Sequence, residues 1–256
     1  MTIRIVVIAA CVLATMAAPA AAQQAETESA RVLAPGMVKG GAGVEYQRSS
    51  EGTETALPLI IEGGIAPRFE LVIEQVAFVG LDPKVGSTER GAGDLEATLV
   101  GLALPERPRV PAIAFAAEVK VPTARNAAIG TGKTDVAGYL ILSKRFGALD
   151  VSVNGSYTVV GKPANTTVYN VWGFAVSGRY AIGKLDLFGE VLGNTAASPE
   201  SEGMGGAAEL TGSELVGTLG AGYRVAGWAH VFLNLSIDNN AAVLVHPGFM
   251  VWHDLL

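Results

Sequence analysis

The chain has 256 residues, 24 acidic against 18 basic side chains, a formal charge of −6 and a single cysteine. That balance argues against a nucleic-acid partner, and one cysteine cannot make a disulfide framework. Half of the residues are hydrophobic, yet after the first 22 positions no apolar run reaches the roughly 20 residues a transmembrane helix needs. Apolar residues spread through short segments suit strands better than helices.

Met1 to Arg4 is a short basic start, Ile5 to Met16 an apolar run, and Ala17 to Ala22 a small-residue stretch ending before Gln23. This is the pattern of a secretory signal peptide over 1–22. A run of about 12 residues is too short to span a bilayer. A lipoprotein cut before Cys11 would leave only Ile5 to Val7 as an apolar core, which rejects that reading. The cysteine leaves with the signal. Residues 23–36 read as a periplasmic N-terminal segment and 37–256 as one domain.

From Met37 onward the dominant period is two, the pattern of strands with one apolar and one polar face. Leu149, Val151, Val153, Tyr157 and Val159 alternate with Asp150, Ser152, Asn154, Ser156 and Thr158; Val231, Leu233, Leu235 and Ile237 alternate with His230, Asn234, Ser236 and Asp238. Reading every such run predicts about twelve strands: 37–48, 56–66, 69–79, 91–104, 110–121, 134–146, 148–160, 168–181, 183–193, 212–225, 228–238 and 241–252. Neither face of 134–146 is purely apolar, so its register stays open.

Alternate connections are short, at Pro67-Arg68, Pro105 to Arg109, Gly147, Ile182 and Ala226-Gly227. Longer polar ones fall between them, near 49–55, 80–90, 122–133, 161–167 and 194–211. A barrel with both termini in the periplasm has short inner turns and long outer loops in that order. Asn239-Asn240 breaks the rule, because an outer loop is expected there and the connection is tight. The fold expected is therefore all-β, an antiparallel transmembrane β-barrel in a bacterial outer membrane. The competing architecture is a soluble sandwich, whose aromatic residues would concentrate between two sheets. Here Tyr46, Phe69, Trp172, Tyr180, Tyr223, Trp228 and Trp252 fall near strand ends. Tyr46, Trp172, Tyr180, Tyr223, Trp228 and Trp252 are the candidates for an interfacial girdle.

The face opposite the aliphatic rows carries ionisable residues. Glu118 and Lys120 on one strand, with Arg179, Glu190 and Arg224 from the facing wall, are the candidates for lining a lumen and biasing which solutes pass. The alternative is that opposite charges pair across the lumen and fill it, as side chains do in barrels of about eight strands.

Other motifs lack the context their chemistry needs. Ala127 to Thr134 fits a relaxed Walker A pattern, but a phosphate loop requires a following helix, and Asp135 to Arg145 reads as a strand. His230, His246 and His253 lie close in sequence without a Cys or carboxylate at zinc spacing, so no metal and no cofactor is expected. No Gly-x-Ser-x-Gly elbow or Ser/His/Asp set is apparent, and no enzyme is expected.

Gly91-Ala92-Gly93-Asp94-Leu95-Glu96, Ala117 to Thr123, Gly130 to Asp135 and Leu142 to Asp150 follow one another in an order that resembles a known family. It is the outer-membrane transporter family grouped with the MetA pathway of phenol degradation. Gly178-Arg179-Tyr180 and Phe188-Gly189-Glu190 extend the likeness, which covers about 91–193. The resemblance implies a barrel that passes hydrophobic or aromatic compounds across the outer membrane. Such barrels usually finish their last strand on an aromatic residue. This chain closes Val251-Trp252-His253-Asp254-Leu255-Leu256, so either Trp252 ends the strand and four residues trail, or the assembly machinery recognises this end differently.

The expected function is passage of small, hydrophobic or aromatic compounds, with the lipid bilayer, the barrel-assembly machinery and the solute as partners. The second reading is a structural or adhesive barrel that does not transport, using the long loop at 196–211. A membrane-embedded hydrolase is a third.

Overall fold

The computed structural model describes residues 27–164, 166–197 and 214–255. The predicted signal peptide and most of the 196–211 loop lie outside the described residues.

The described residues form fourteen strands: β1 (Met37–Gly43), β2 (Glu45–Arg48), β3 (Gly52–Ala66), β4 (Phe69–Pro83), β5 (Glu89–Gly91), β6 (Leu95–Leu104), β7 (Ala112–Val121), β8 (Asp135–Phe146), β9 (Leu149–Val159), β10 (Val171–Ile182), β11 (Leu185–Asn194), β12 (Glu214–Ala226), β13 (Ala229–Asp238) and β14 (Val243–Asp254). Each pairs antiparallel with its neighbours, and β1 pairs with β14 to close the sheet. β1 and β2 are two pieces of one wall strand, since both lie between β3 and β14. β5 and β6 both pair with β4 and form a second split strand. The wall is thus a closed barrel of twelve strands, as the periodicity predicts, with two strands divided.

Closure abolishes sheet edges, which is how an all-β wall satisfies its backbone groups inside a bilayer. What separates this barrel from a soluble one is where the apolar side chains go. Leu219 is 73% exposed, and Ile61, Phe115, Phe174, Leu187, Leu233 and Val251 stand with it on the outer surface. Lys39, Glu70, Asp186, Glu190, Asn154 and His230 are buried. A continuous apolar outside far exceeds the few hundred Å² tolerated on soluble monomers, and a polar inside is what a membrane barrel's lumen holds.

The short turns fall at or beside the expected positions, the one expected at Ile182 lying at Gly183-Lys184 between β10 and β11. Pro67 fixes φ and Arg68 follows at φ 72°, the arrangement of a type II turn. Gly147 and Gly183, both at φ 63°, take left-handed positions in the next tight turns. Asn239-Asn240 is also tight, because Asp238 Oδ1 accepts from the N–H groups of Asn240 and Ala242, each at 2.8 Å. The register left open at 134–146 is set by β7 and β9, which turn Ala137, Tyr139, Ile141 and Ser143 inward. The last strand runs beyond Trp252, since Asp254 pairs with Met37.

Residues 27–33, part of the segment read from the sequence as periplasmic, contact inward side chains of the wall, and one girdle expectation needs correction. Trp252, expected in the outer girdle, packs against the buried cluster that contains Ile60 and Met250. It alternates with outward-facing Val251 and His253, so strand parity turns it to the lumen.

Candidate functional site

The lumen is organised by the segment that occupies it. A buried extended chain must find partners for its backbone, and those of residues 27–36 come largely from inward side chains. Thr27 N–H donates to Glu190 (2.8 Å). The Asn154 amide is oriented to accept from Glu28 N–H (2.6 Å) and donate to Glu28 O (3.0 Å). Ala30 N–H donates to Ser143 Oγ (2.9 Å), and Leu33 N–H to Glu70 (2.7 Å). At the rim, Gly36 N–H donates to Gly64 O (2.9 Å).

Arg31 anchors the segment at the turn end. Its guanidinium reaches Glu106 at 2.6 Å and Asp150 at 2.5 Å. Glu106, in the turn between β6 and β7, also meets Lys144 (3.1 Å) and accepts the Arg145 N–H (2.9 Å). Burial works against the Glu106 carboxylate, but the Arg145 N–H, Arg31 and Lys144 outweigh it and hold its pKa down to about 2. Ala30 and Val32 pack on an apolar strip of the wall formed by Ile60, Val72, Val100, Ala114 and Ile141.

Of the candidate lumen residues, Glu118 accepts from Tyr139 OH (2.8 Å) and Thr98 Oγ1 (3.4 Å). Lys120 lies between Asp135, which it contacts closely, and Asp94 at 3.9 Å. Glu190 holds Thr27. Arg179 faces Asp186 at 4.0 Å, while Arg224 makes no ion pair among the described residues and its Nε is buried without a hydrogen-bond partner. All five sit on inward rows, but not in one ring. Lys120 is next to the loop end of β7, whereas Arg179 and Arg224 are near the turn ends of β10 and β12. Alternation predicts the face of a residue and leaves its height to strand register.

Among the girdle candidates, Tyr46 and Trp172 face outward toward the loop end, and Tyr180, Tyr223 and Trp228 face outward at the turn end. Trp172 packs on Tyr157 with ring centroids 4.5 Å apart. His230 and His246 are buried on the inner face and His253 is exposed outside. They do not converge, and no metal-binding group occurs among the described residues.

The structure also gathers residues from separate sequence motifs. Asp94 of Gly91–Glu96, Lys120 of Ala117–Thr123 and Asp135 of Gly130–Asp135 form a single ion-pair triad. Asp94 Oδ1 accepts the Ala124 N–H (2.8 Å) and Asp135 Oδ1 the Gly161 N–H (2.7 Å), so the triad ties down two loops. The Walker-like stretch is one of these loops and leads into strand β8, with no helix after it. Ser143 and Asp150 of Leu142–Asp150, with Glu190 of Phe188–Glu190, contact residues 27–31 directly, while Lys144 and Arg145 bind the Glu106 and Asp150 carboxylates that hold Arg31. The signal for the occluding segment itself was missed, because Thr27 to Leu33 has no period and its partners lie 37 to 163 residues away.

A closed wall of twelve antiparallel strands, apolar outside and polar within, defines an outer-membrane type of β-barrel. No protein-family model matches the chain, and no curated protein matches it. Solved structures do share its fold. The COG4313 outer membrane channel from Pseudomonas putida F1 superposes with a TM-score of 0.69 at 12% identity, covering 90% of this chain and 100% of that one. The NanC porin gives 0.58 at 10% identity over 83% of this chain and 98% of its own. The KdgM porin gives 0.51 at 10% over 82% and 98%.

Proposed function

We propose that the protein is an outer-membrane channel for small hydrophobic or aromatic compounds, closed in this state by residues 27–33. The carrying observation is the inner wall itself. It sets an apolar strip (Ile60, Val72, Val100, Ile141) beside hydrogen-bonding groups, and Ala30 and Val32 cover that strip where a solute would pass. A wholly polar lumen would favour ions and sugars, whereas a strip of this kind lowers the cost of an apolar body in transit.

In this reading the barrel-assembly machinery inserts the chain into the bacterial outer membrane after export, with both termini and the short turns toward the periplasm. Conductance across planar bilayers tests it. The full chain conducts little, and a variant lacking 27–33 conducts steadily. A flat trace from that variant at high protein load, with the barrel folded, overturns the channel reading. It would support instead a structural or adhesive barrel, a second reading favoured by the occupied lumen.

A further inference from the structure

We propose that the inner wall of β10–β14 near the turn end binds a small organic anion, a carboxylate carried on an apolar or aromatic body. The proposal deepens the channel reading above and rests on it for the route by which such a solute arrives.

The site is built from four adjacent strands. Arg179 (β10), Asp186 (β11), Arg224 (β12) and His230 (β13) all face inward. Asp186 stands opposite Gly222, Arg224 opposite His230, and His230 opposite Met250. Neighbouring strands lie about 4.8 Å apart, so these side chains share one patch. Gly222 makes it possible: a Cβ there would fall 2.2 Å from His230 Cε1, so the ring lies over the space a side chain would fill.

The patch carries more donors than acceptors. Asp186 lies 4.0 Å from Arg179 and 3.3 Å from His230 Nε2. Asp150, the neighbouring carboxylate, is held by Arg31 and by Arg145 at 3.0 Å. Among the described residues the Arg224 Nε–H donor is buried with no hydrogen-bond partner, beside the two ring nitrogens of His230, which is only 1% exposed and likewise unsatisfied. An orphaned donor in such a place is costly, most of all on a charged group. The occluding segment does not relieve it, because its hydrogen bonds go to Glu190, Asn154, Ser143, Glu106, Asp150, Glu70 and Gly64. A guanidinium fork matches a carboxylate.

The apolar half follows from the same register. Met250 faces His230 across the ladder, Phe232 is two residues along β13, and Trp252 two along β14, all in the buried apolar cluster. Glu62, Glu70 and Glu74 on β3 and β4 face the lumen around Lys39, which discourages an anion from that side. Charge recognition beside an apolar wall selects an amphipathic anion over a neutral ring or an inorganic ion.

Binding to the purified full chain in detergent, read by tryptophan fluorescence, tests this with benzoate, benzyl alcohol and sulfate. Benzoate should bind at least about tenfold more tightly than either of the others. Arg224→Gln should remove about tenfold of the benzoate affinity and leave that for benzyl alcohol unchanged. Unboiled gel mobility checks that the variant is folded, and Arg224→Lys, which keeps the charge, should bind benzoate with intermediate affinity. Equal affinity for benzoate and benzyl alcohol, sulfate binding as tightly as benzoate, or a folded Arg224→Gln with unchanged affinity overturns the proposal. Because binding is read without transport, a flat conductance trace with benzoate binding intact counts against the channel and not against the site.

Discussion

The backbone N–H of Ala30 donates to Ser143 Oγ at 2.9 Å, and Ser143 shares a second hydrogen bond with Ser152 Oγ at 2.8 Å. Both serines are buried, so the wall of β8 and β9 presents a fixed acceptor to a segment otherwise remote in sequence. Ser143→Ala leaves the Ala30 N–H unsatisfied, at a cost of about 1–3 kcal/mol to docking of the segment. Open events in single-channel records should become about tenfold or more frequent, since about 1.4 kcal/mol is tenfold in an equilibrium. Unchanged open probability would place the closure elsewhere.

Gly64 offers a sharper perturbation of the same segment. A Cβ at Gly64 would lie 2.0 Å from the Ala34 carbonyl oxygen, a backbone atom, while one at Gly63 meets nothing within 4 Å. Gly64→Ala should displace the segment and expose it to protease, and Gly63→Ala should leave it protected. Equal protection in both variants refutes the contact.

Closure should depend on pH through Glu28. Burial raises its pKa to about 8, reinforced by Glu74, Glu62 and Glu70 and opposed by Lys39. The docked state therefore holds the proton more tightly than the free segment, whose carboxyl titrates near 4.5. Docking is strongest below that value and weakens as pH rises toward about 8, where Glu28 ionises even when docked. Conductance should increase between pH 5 and 8, and Glu28→Gln should flatten the profile. A conductance that falls over this range contradicts the assignment.

Lys120 separates two carboxylates whose side chains are 8% and 6% exposed, Asp94 and Asp135. Lys120→Met leaves them buried with no cation between them, which costs about 3–5 kcal/mol when a buried pair is broken this way. The temperature at which the barrel loses its fast unboiled gel mobility should drop. Adding Asp94→Asn and Asp135→Asn should recover much of the loss. No recovery would show that the lysine acts through packing alone.

Much of the wall was legible in the chain. Period two marked nearly every strand, because a barrel between lipid and lumen imposes opposite chemistry on alternate residues. β3 starts four residues earlier than predicted, at Gly52, and β4 runs four residues further, to Pro83. Both extensions lie where Thr53, Glu54 and Asp82 break the apolar alternation and pairing alone keeps the chain extended. The split strands were not legible either. Val44 donates its N–H to Pro247 O between β1 and β2, a local interruption set by the partner strand.

The candidate site divides in the same way. The inward direction of Glu118, Lys120, Arg179, Glu190 and Arg224 follows from alternation, a local property of the backbone. Their heights, and hence the separation of Lys120 from Arg179, depend on register between strands. That Glu190 holds Thr27, that Asp150 holds Arg31 and that Trp252 turns inward are relations across the closed wall. The sequence by itself determined a strand-built chain with one apolar face and tight turns, because those features need only neighbouring residues. Only the tertiary structure decided that the lumen is occupied and that Arg224, whose Nε has no hydrogen-bond partner among the described residues, faces His230, because closure brings together side chains that no local pattern connects.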